Sequence, residues 1–171
     1  MGTEIERKFL VTDDRWRAAS DGRPARFRQG YLFAEGGRNA RVRLSTGRDG
    51  AHAWVTIKGV RSGIARYEFE YEIPVEDAEI MLDTLCMPVV IDKTRSYVAF
   101  GGETWEVDVF AGANAGLVLA ELELDDAAKT FARPPWIGAE VSEDARYYNS
   151  ALARHPYSTW PRQGAHPAGE K

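Results

Sequence analysis

Cysteine is almost absent: Cys86 is the only one in 171 residues. No intramolecular disulfide can form, and a reducing compartment, the cytoplasm, is the expected home. Histidine is nearly as scarce, and His52, His155 and His166 stand too far apart for ligand spacing. An imidazole or thiolate zinc site is therefore not expected, and any metal should be a hard cation on carboxylates, Mg²⁺ or Mn²⁺. No run approaches the roughly 20 apolar residues of a membrane span. Met1 is followed closely by the charged Glu4-Ile5-Glu6-Arg7-Lys8 rather than by the apolar core of a signal peptide. Excess positive charge is also missing, since 22 Lys plus Arg face 26 Asp plus Glu. Without an overall basic field, nonspecific nucleic-acid binding is not expected, and any anion site must be local.

What is present is alternation with a period of two. It recurs over residues 3–11, 26–33, 38–46, 52–59, 64–73, 89–100, 104–110 and 117–124, which predicts a mainly β, antiparallel chain. Gly36-Gly37, Asp49-Gly50, Ser62-Gly63 and Gly101-Gly102 are the hairpin signals between these segments. Helical spacing appears over 74–85, where Ala78, Met81, Leu82 and Leu85 share a face, and after Ser142, a candidate cap for a helix carrying Ala145, Tyr148 and Leu152. Residues 13–19 suggest a third, short helix. One domain over 1–155 is expected, followed by an irregular tail over 156–171, where prolines and glycines interrupt every period. Trp105 falls on an apolar strand face, and Pro134-Pro135-Trp136 reads as a rigid turn with a packed indole.

The second face of the strands is charged, in doublets of one sign. Glu4, Glu6 and Lys8 share one side of the first strand. Arg41 and Arg43 alternate with Val42 and Leu44, and Glu68, Glu70 and Glu72 with Tyr67, Phe69 and Tyr71. Glu106 and Asp108, Glu121 and Glu123, and Lys93 and Arg95 repeat the pattern, and Lys58 shares parity with Thr56 and Trp54. A half-solvated sheet with a polar outer face is one reading. The other is a closed barrel lined by these residues. Like charges two residues apart repel and call for opposite partners. Arginine and lysine suit phosphate oxygens, while glutamates suit a divalent cation bridging to them. Eight strands are near the size at which a closed barrel holds one small ligand.

Glu4-Ile5-Glu6-Arg7-Lys8 resembles the Glu-x-Glu-x-Lys signature of the CYTH superfamily, the triphosphate tunnel metalloenzymes. The resemblance continues in order through Arg28-Gln29-Gly30-Tyr31-Leu32, Arg41-Val42-Arg43, Lys58, Glu68-Phe69-Glu70, Lys93-Thr94-Arg95, Asp108-Val109-Phe110, Glu121-Leu122-Glu123 and Glu143-Asp144-Ala145-Arg146-Tyr147. It implies a closed, antiparallel eight-stranded β-barrel with a few flanking helices. It also implies substrate-binding roles for Lys8, Arg41, Arg43, Lys58, Lys93 and Arg95, and metal-side roles for Glu4, Glu6, Glu68, Glu70, Asp108, Glu121 and Glu123. Glu72 and Glu106 fit better as solvated rim positions. Arg28 is ambiguous, since Gln29 and Tyr31 have the opposite parity and either set could face inward. Ala145, Tyr148 and Ser150 depart from relatives that carry lysine there.

The resemblance is to short bacterial members, and implies metal-dependent hydrolysis of inorganic tripolyphosphate by a monomer or homodimer. Lys8 or Lys93 would be the catalytic proton acceptor if neighbouring cations depress its pKa. The competing functions are a class IV adenylate cyclase, an organic triphosphatase acting on thiamine or nucleoside triphosphate, and a non-catalytic polyphosphate binder.

Overall fold

A computed structural model describes residues 2–60, 62, 65–87 and 89–161, with side chains described from residue 5 onward. Eight strands follow the alternating segments, β1 (Gly2–Val11), β2 (Ala25–Glu35), β3 (Arg38–Gly47), β4 (Gly50–Lys58), β5 (Ala65–Ile73), β6 (Ile91–Phe100), β7 (Glu103–Phe110) and β8 (Val118–Glu123), and a further strand, β9 (Ile137–Glu140), joins them. All pairings are antiparallel, in the order β5-β4-β3-β2-β6-β7-β8-β1, and β1 pairs back onto β5, so eight strands close into a barrel. The hairpins form where the glycine pairs predict them. Gly36 and Gly37 have φ of 56° and 76°, the left-handed values that a two-residue turn between Glu35 and Arg38 requires.

The ninth strand was not legible as alternation, because it is only four residues long. It completes β1. One edge of β1 pairs with β8 through Glu6 to Leu10, while the other pairs with β5 near Ile5 and with β9 near Phe9 and Val11. Lys8 O accepts a hydrogen bond from Val141 N at 2.8 Å, and Ile5 O accepts one from Leu124 N at 2.8 Å.

The apolar face of each strand looks outward, so the barrel needs covering from outside. Two of the three hydrophobic clusters do this. Phe9, Trp105, Val107, Ala120 and Leu122 lie beneath Trp16, Phe131 and Trp136, with Trp105 fully buried and 5.6 Å from Phe9 between ring centres. Trp16 belongs to the short helix that the sequence suggests, a 3-10 helix over Asp14–Ala19. On the far side α1 (Val75–Thr84) lays Ala78 and Leu82 on Val42, Leu44 and Ala53. Gly30 permits this approach, because a Cβ there would stand 2.6 Å from the Cβ of Cys86.

The third cluster reaches inside. Ile91, Phe110 and Leu119 continue the inward parity of Lys93, Asp108 and Glu121, and with Tyr31 they meet Leu152 and Ala153 of the closing segment. That segment departs from its predicted form. Ser142 caps no helix: its Oγ accepts from Lys8 N at 2.9 Å and donates to Glu140 at 2.7 Å. Asp144 instead caps a 3-10 turn over Ala145–Tyr147, which leads into the one-turn α2 (Asn149–Leu152). β9 carries Ser142 alongside Lys8, and this neighbour takes its hydroxyl. Beyond α2 a 3-10 turn over Tyr157–Thr159 brings Trp160 against Tyr147 at 5.0 Å between ring centres. Residues 162–171, including His166 and the rest of the expected tail, lie outside the described residues, as do Gly63 and Ile64. No helix among the described residues is long and apolar enough to cross a membrane.

Candidate active site

Strand alternation aims the charged doublets at the barrel axis, where they line a cavity of about 380 Å³. Seven basic side chains (Lys8, Arg41, Arg43, Lys58, Arg66, Lys93 and Arg95) and six carboxylates (Glu6, Glu68, Glu70, Glu106, Glu121 and Glu123) face it. With the two signs nearly equal, the lining resembles an ion-pair lattice more than a cationic funnel.

The pairs are close. Lys8 Nζ donates to Glu121 at 2.6 Å and stands 3.0 Å from Glu6. Arg95 donates to Asp108 at 2.7 and 2.6 Å, to Glu121 at 2.7 Å, and also to Glu106. Lys93 donates to Asp108. Arg43 donates to Glu70 at 2.8 Å, Lys58 Nζ is 2.8 Å from Glu68, and Thr56 donates to Glu70 at 2.8 Å. Arg41 stands 3.9 Å from Glu68 and 3.8 Å from Glu70. The repulsion within these doublets is thus relieved by opposite charges that the barrel brings close, on the next strand, on the strand beyond it, or two residues along the same strand.

Burial and neighbours divide the lysines. Burial would lower the Lys8 ammonium, but Glu121 and then Glu6 outweigh it and raise the pKa. A proton-acceptor role for Lys8 is not supported, since it holds its proton more tightly than a free lysine. Lys93 goes the other way: burial, then the adjacent Arg95, push it down against the pull of Asp108 and Glu121. Burial and then Arg41 push Arg43 down to about 10. Burial alone would raise Glu121, yet Lys8, Lys93 and Arg95 hold it well below the ordinary carboxylate range. Burial raises Glu106 against the opposing Arg95.

The structure brings most of the expected residues together. Lys8, Arg41, Arg43, Lys58, Lys93, Arg95, Glu6, Glu68, Glu70, Glu121 and Glu123 all line the one cavity. Two placements differ from expectation. Asp108 is fully buried beneath Lys93 and Arg95 rather than lining the cavity, because both cations fold back onto its carboxylate; it orients them. Glu106, expected at a solvated rim, lines the cavity beside Arg95, whereas Glu72 is exposed with His52 at 3.3 Å. Glu4 pairs with Arg66 through the backbone register, and its side chain lies outside what is described. The Arg28 ambiguity is resolved: Tyr31 lines the cavity, and Arg28 turns out to Asp83 at 3.2 Å. Trp54 stands near the barrel's other end with His52, 5.9 Å between ring centres, and Arg43.

Arg66, Asn39, Tyr148, Asn149 and Ser150 were missed. Arg66 and Asn39 have inward parity at strand ends, a signal visible in hindsight from the register. The closing-segment residues line the cavity through tertiary packing, which no local period reports. A second, less polar cavity of about 680 Å³ adjoins the first; it shares Asn39, Arg66, Tyr148 and Ser150 and adds Val60, Arg38 and Arg154.

The donor set fits a hard divalent cation. Carboxylates from β1, β5, β7 and β8 offer oxygen alone, as Mg²⁺ or Mn²⁺ prefers. Among the described residues no three acidic, histidine or cysteine side chains converge on one point; the carboxylates are turned onto cations instead. The charge balance strengthens the fit. An anion that took up these cations would leave the glutamates free for a metal.

Residues 2–155 match the CYTH domain family. The chain is 45% identical over 160 residues to an inorganic triphosphatase of Acetivibrio thermocellus, covering 94% of this chain and 99% of that protein. It is 40% identical over 156 residues to an inorganic triphosphatase of Nitrosomonas europaea, covering 88% and 97%. The crystal structure of an inorganic triphosphatase superposes with a TM-score of 0.61 at 37% identity, covering 90% of this chain and 95% of that one.

Proposed function

The chain belongs to the CYTH domain family, and from that premise we propose that it hydrolyses inorganic tripolyphosphate to pyrophosphate and phosphate, using Mg²⁺ or Mn²⁺. The observation that carries this reading is the cavity lined by seven cations and six carboxylates in mutual pairs. A plain anion binder gains nothing from the acids. A metal–polyphosphate complex satisfies both halves at once.

Phosphoryl transfer needs a chain held in line and its spreading charge neutralised. Arg41, Arg43, Lys58 and Arg95 grip the phosphate oxygens, Arg95 kept in place from behind by Asp108. Lys8, held protonated by Glu121 and Glu6, contributes a fixed charge rather than a base. Lys93, whose pKa burial and Arg95 push down, accepts the proton of the attacking water after first giving up its own ammonium proton. Glu6, Glu68, Glu70, Glu121 and Glu123, with Glu4 on the signature pattern, would hold the metal, whose chemistry is to polarise phosphoryl oxygen and water.

The second cavity favours one other reading: an organic group esterified to a triphosphate could lie there. Phosphate release from tripolyphosphate, pyrophosphate, ATP and thiamine triphosphate, each with Mg²⁺, Mn²⁺ or EDTA, decides between them. Faster release from ATP or thiamine triphosphate would select the organic triphosphatase, cyclic nucleotide from ATP would select a cyclase, and full turnover in excess EDTA would remove the metal. The composition that argued against nucleic acid, the lone cysteine that suggested a cytoplasmic location, and a monomeric or homodimeric state belong to the same proposal.

A further inference from the structure

Among the cavity's polar side chains, two neutral amides differ from the rest. Asn39, the second residue of β3, is only 7% exposed and pairs with Lys58 in the ladder. Asn149 opens α2, in the segment that closes this end of the barrel. Both line the cavity. In each, the carbonyl oxygen is occluded and has no hydrogen-bond partner. Neither amide nitrogen is occluded, and neither donates to any partner among the described residues. The amide nitrogens are thus donors on two different elements of the lining, β3 and the closing segment, without a protein acceptor among the described residues.

The cations around them are differently placed. Lys58 must leave Glu68, and Arg43 must leave Glu70, before either can bind phosphate fully. An amide has no pair to break. It also adds no charge to a lining already balanced, and with the carbonyl oxygen occluded each amide keeps its N–H groups as the part open to a ligand.

Resting on the triphosphatase reading, we propose that Asn39 and Asn149 are specificity-determining residues. Their side-chain N–H groups donate to the oxygens of the phosphoryl group that ends the chain beneath the closing segment, and so set how far the polyphosphate enters. Asn39 and its neighbours Tyr148 and Ser150 also border the second cavity, so this is where a chain end is told from a chain that continues. The amides act on the end remote from the attacking water, so their effect falls on binding in ground and transition states alike.

The test uses Asn39→Ala, Asn149→Ala and the isosteric Asn39→Asp and Asn149→Asp in the full chain. Calorimetry gives tripolyphosphate affinity with Ca²⁺, and steady-state kinetics give KM and kcat with Mg²⁺. A hydrogen bond to a charged group predicts affinity about ten-fold or more weaker for each alanine variant. The aspartates, which replace a donor by an anion, should bind weaker still. KM should rise while kcat changes little, as expected when uniform binding is lost. Unliganded melting temperatures near wild type separate this from a folding defect. Affinity within about two-fold of wild type in both alanine variants, by the precision such single-contact differences allow, overturns the assignment. So do aspartates that bind as tightly as wild type, or a loss confined to kcat. Wild type that turns over no triphosphate refutes the triphosphatase reading instead, while the Ca²⁺ binding arm still decides the role of the amides.

Discussion

Replacing Glu121 by Gln removes the carboxylate at the centre of the lattice. Glu121 is 5% exposed and accepts from Lys8 at 2.6 Å and Arg95 at 2.7 Å. Each charge-assisted bond is worth about 1.5–3 kcal/mol, and stranding a buried charge outright costs about 3–5 kcal/mol. Neither cation is stranded here, because Lys8 keeps Glu6 at 3.0 Å and Arg95 keeps Asp108 and Glu106. The Gln amide oxygen can still accept one of the two bonds. A loss of about 3 kcal/mol is therefore expected, which for a chain of this size lowers Tm by roughly 6–12 °C. Thermal unfolding in EDTA, followed by circular dichroism, reads it directly. In the same protein phosphate release from tripolyphosphate should fall by on the order of 10²-fold or more, if Glu121 is one of the acids that hold the metal as proposed. An unliganded Tm equal to or above wild type would refute the reasoning, because it would mean that the acid burdens the empty barrel rather than compensating its cations.

Tripolyphosphate with Ca²⁺ should stabilise the folded chain by about 2.7 kcal/mol at a hundred times its dissociation constant, whereas tripolyphosphate in EDTA should give a much smaller melting shift; equal shifts would break the link between metal and phosphate. Tripolyphosphate should have a higher kcat/KM than pyrophosphate or ATP, since the shorter anion gives up the contacts of one phosphoryl group, and losing contacts that position the reacting group lowers turnover as well as affinity. Specificity constants in the opposite order would move the substrate assignment. Ser142→Ala should loosen the closing segment and raise KM, because it removes the hydroxyl that links Lys8 N to Glu140; an unchanged KM would show that β9 holds without it. The Arg7 hydrogen bond, then Ser142, hold Glu140 below its ordinary pKa against partial burial, so this latch contributes fully above the usual carboxylate range of about 4.3 and is lost as pH falls through the folded value. Glu140→Gln should flatten that acid limb of the stability profile, and an identical limb would assign it elsewhere.

Strands of six or more residues were legible because each buries one face against something, and burial imposes a period of two. The charged doublets were legible as a lining for the same reason: Arg41-Val42-Arg43 can point both arginines inward only if Val42 points out, where it is fully buried. What local pattern could not carry was pairing across strands. Asp108 has the parity of a cavity residue, yet it is covered by Lys93 and Arg95 from β6, a contact separated by more than ten residues of chain. Lys8 and Lys93 look alike in sequence, and their opposite pKa shifts depend on which carboxylates the register brings beside them. Asn149 and Ser150 reach the cavity from a single turn of helix whose position is set by β9 and Trp160, so no periodicity announces them.

The divided edge of β1 has a further consequence for quality control. A slip of this strand by one residue would turn Arg7 and Phe9 into the cavity and press Glu6 and Lys8 against Trp105 and Phe131, since strand faces alternate strictly. Two ionised groups would then sit in an aromatic layer without partners, a state several kcal/mol less favourable. The mispaired chain would also lose the Lys8 contacts to β9 and Ser142, and with them the seat of the closing segment. The alternation at Glu6 and Lys8 is therefore a register lock as well as part of the cavity lining. Chains that have closed wrongly should be unfolded and proteolysed rather than persist as weakly active barrels, so in a mutant population specific activity per folded molecule should stay near wild type while the folded fraction declines.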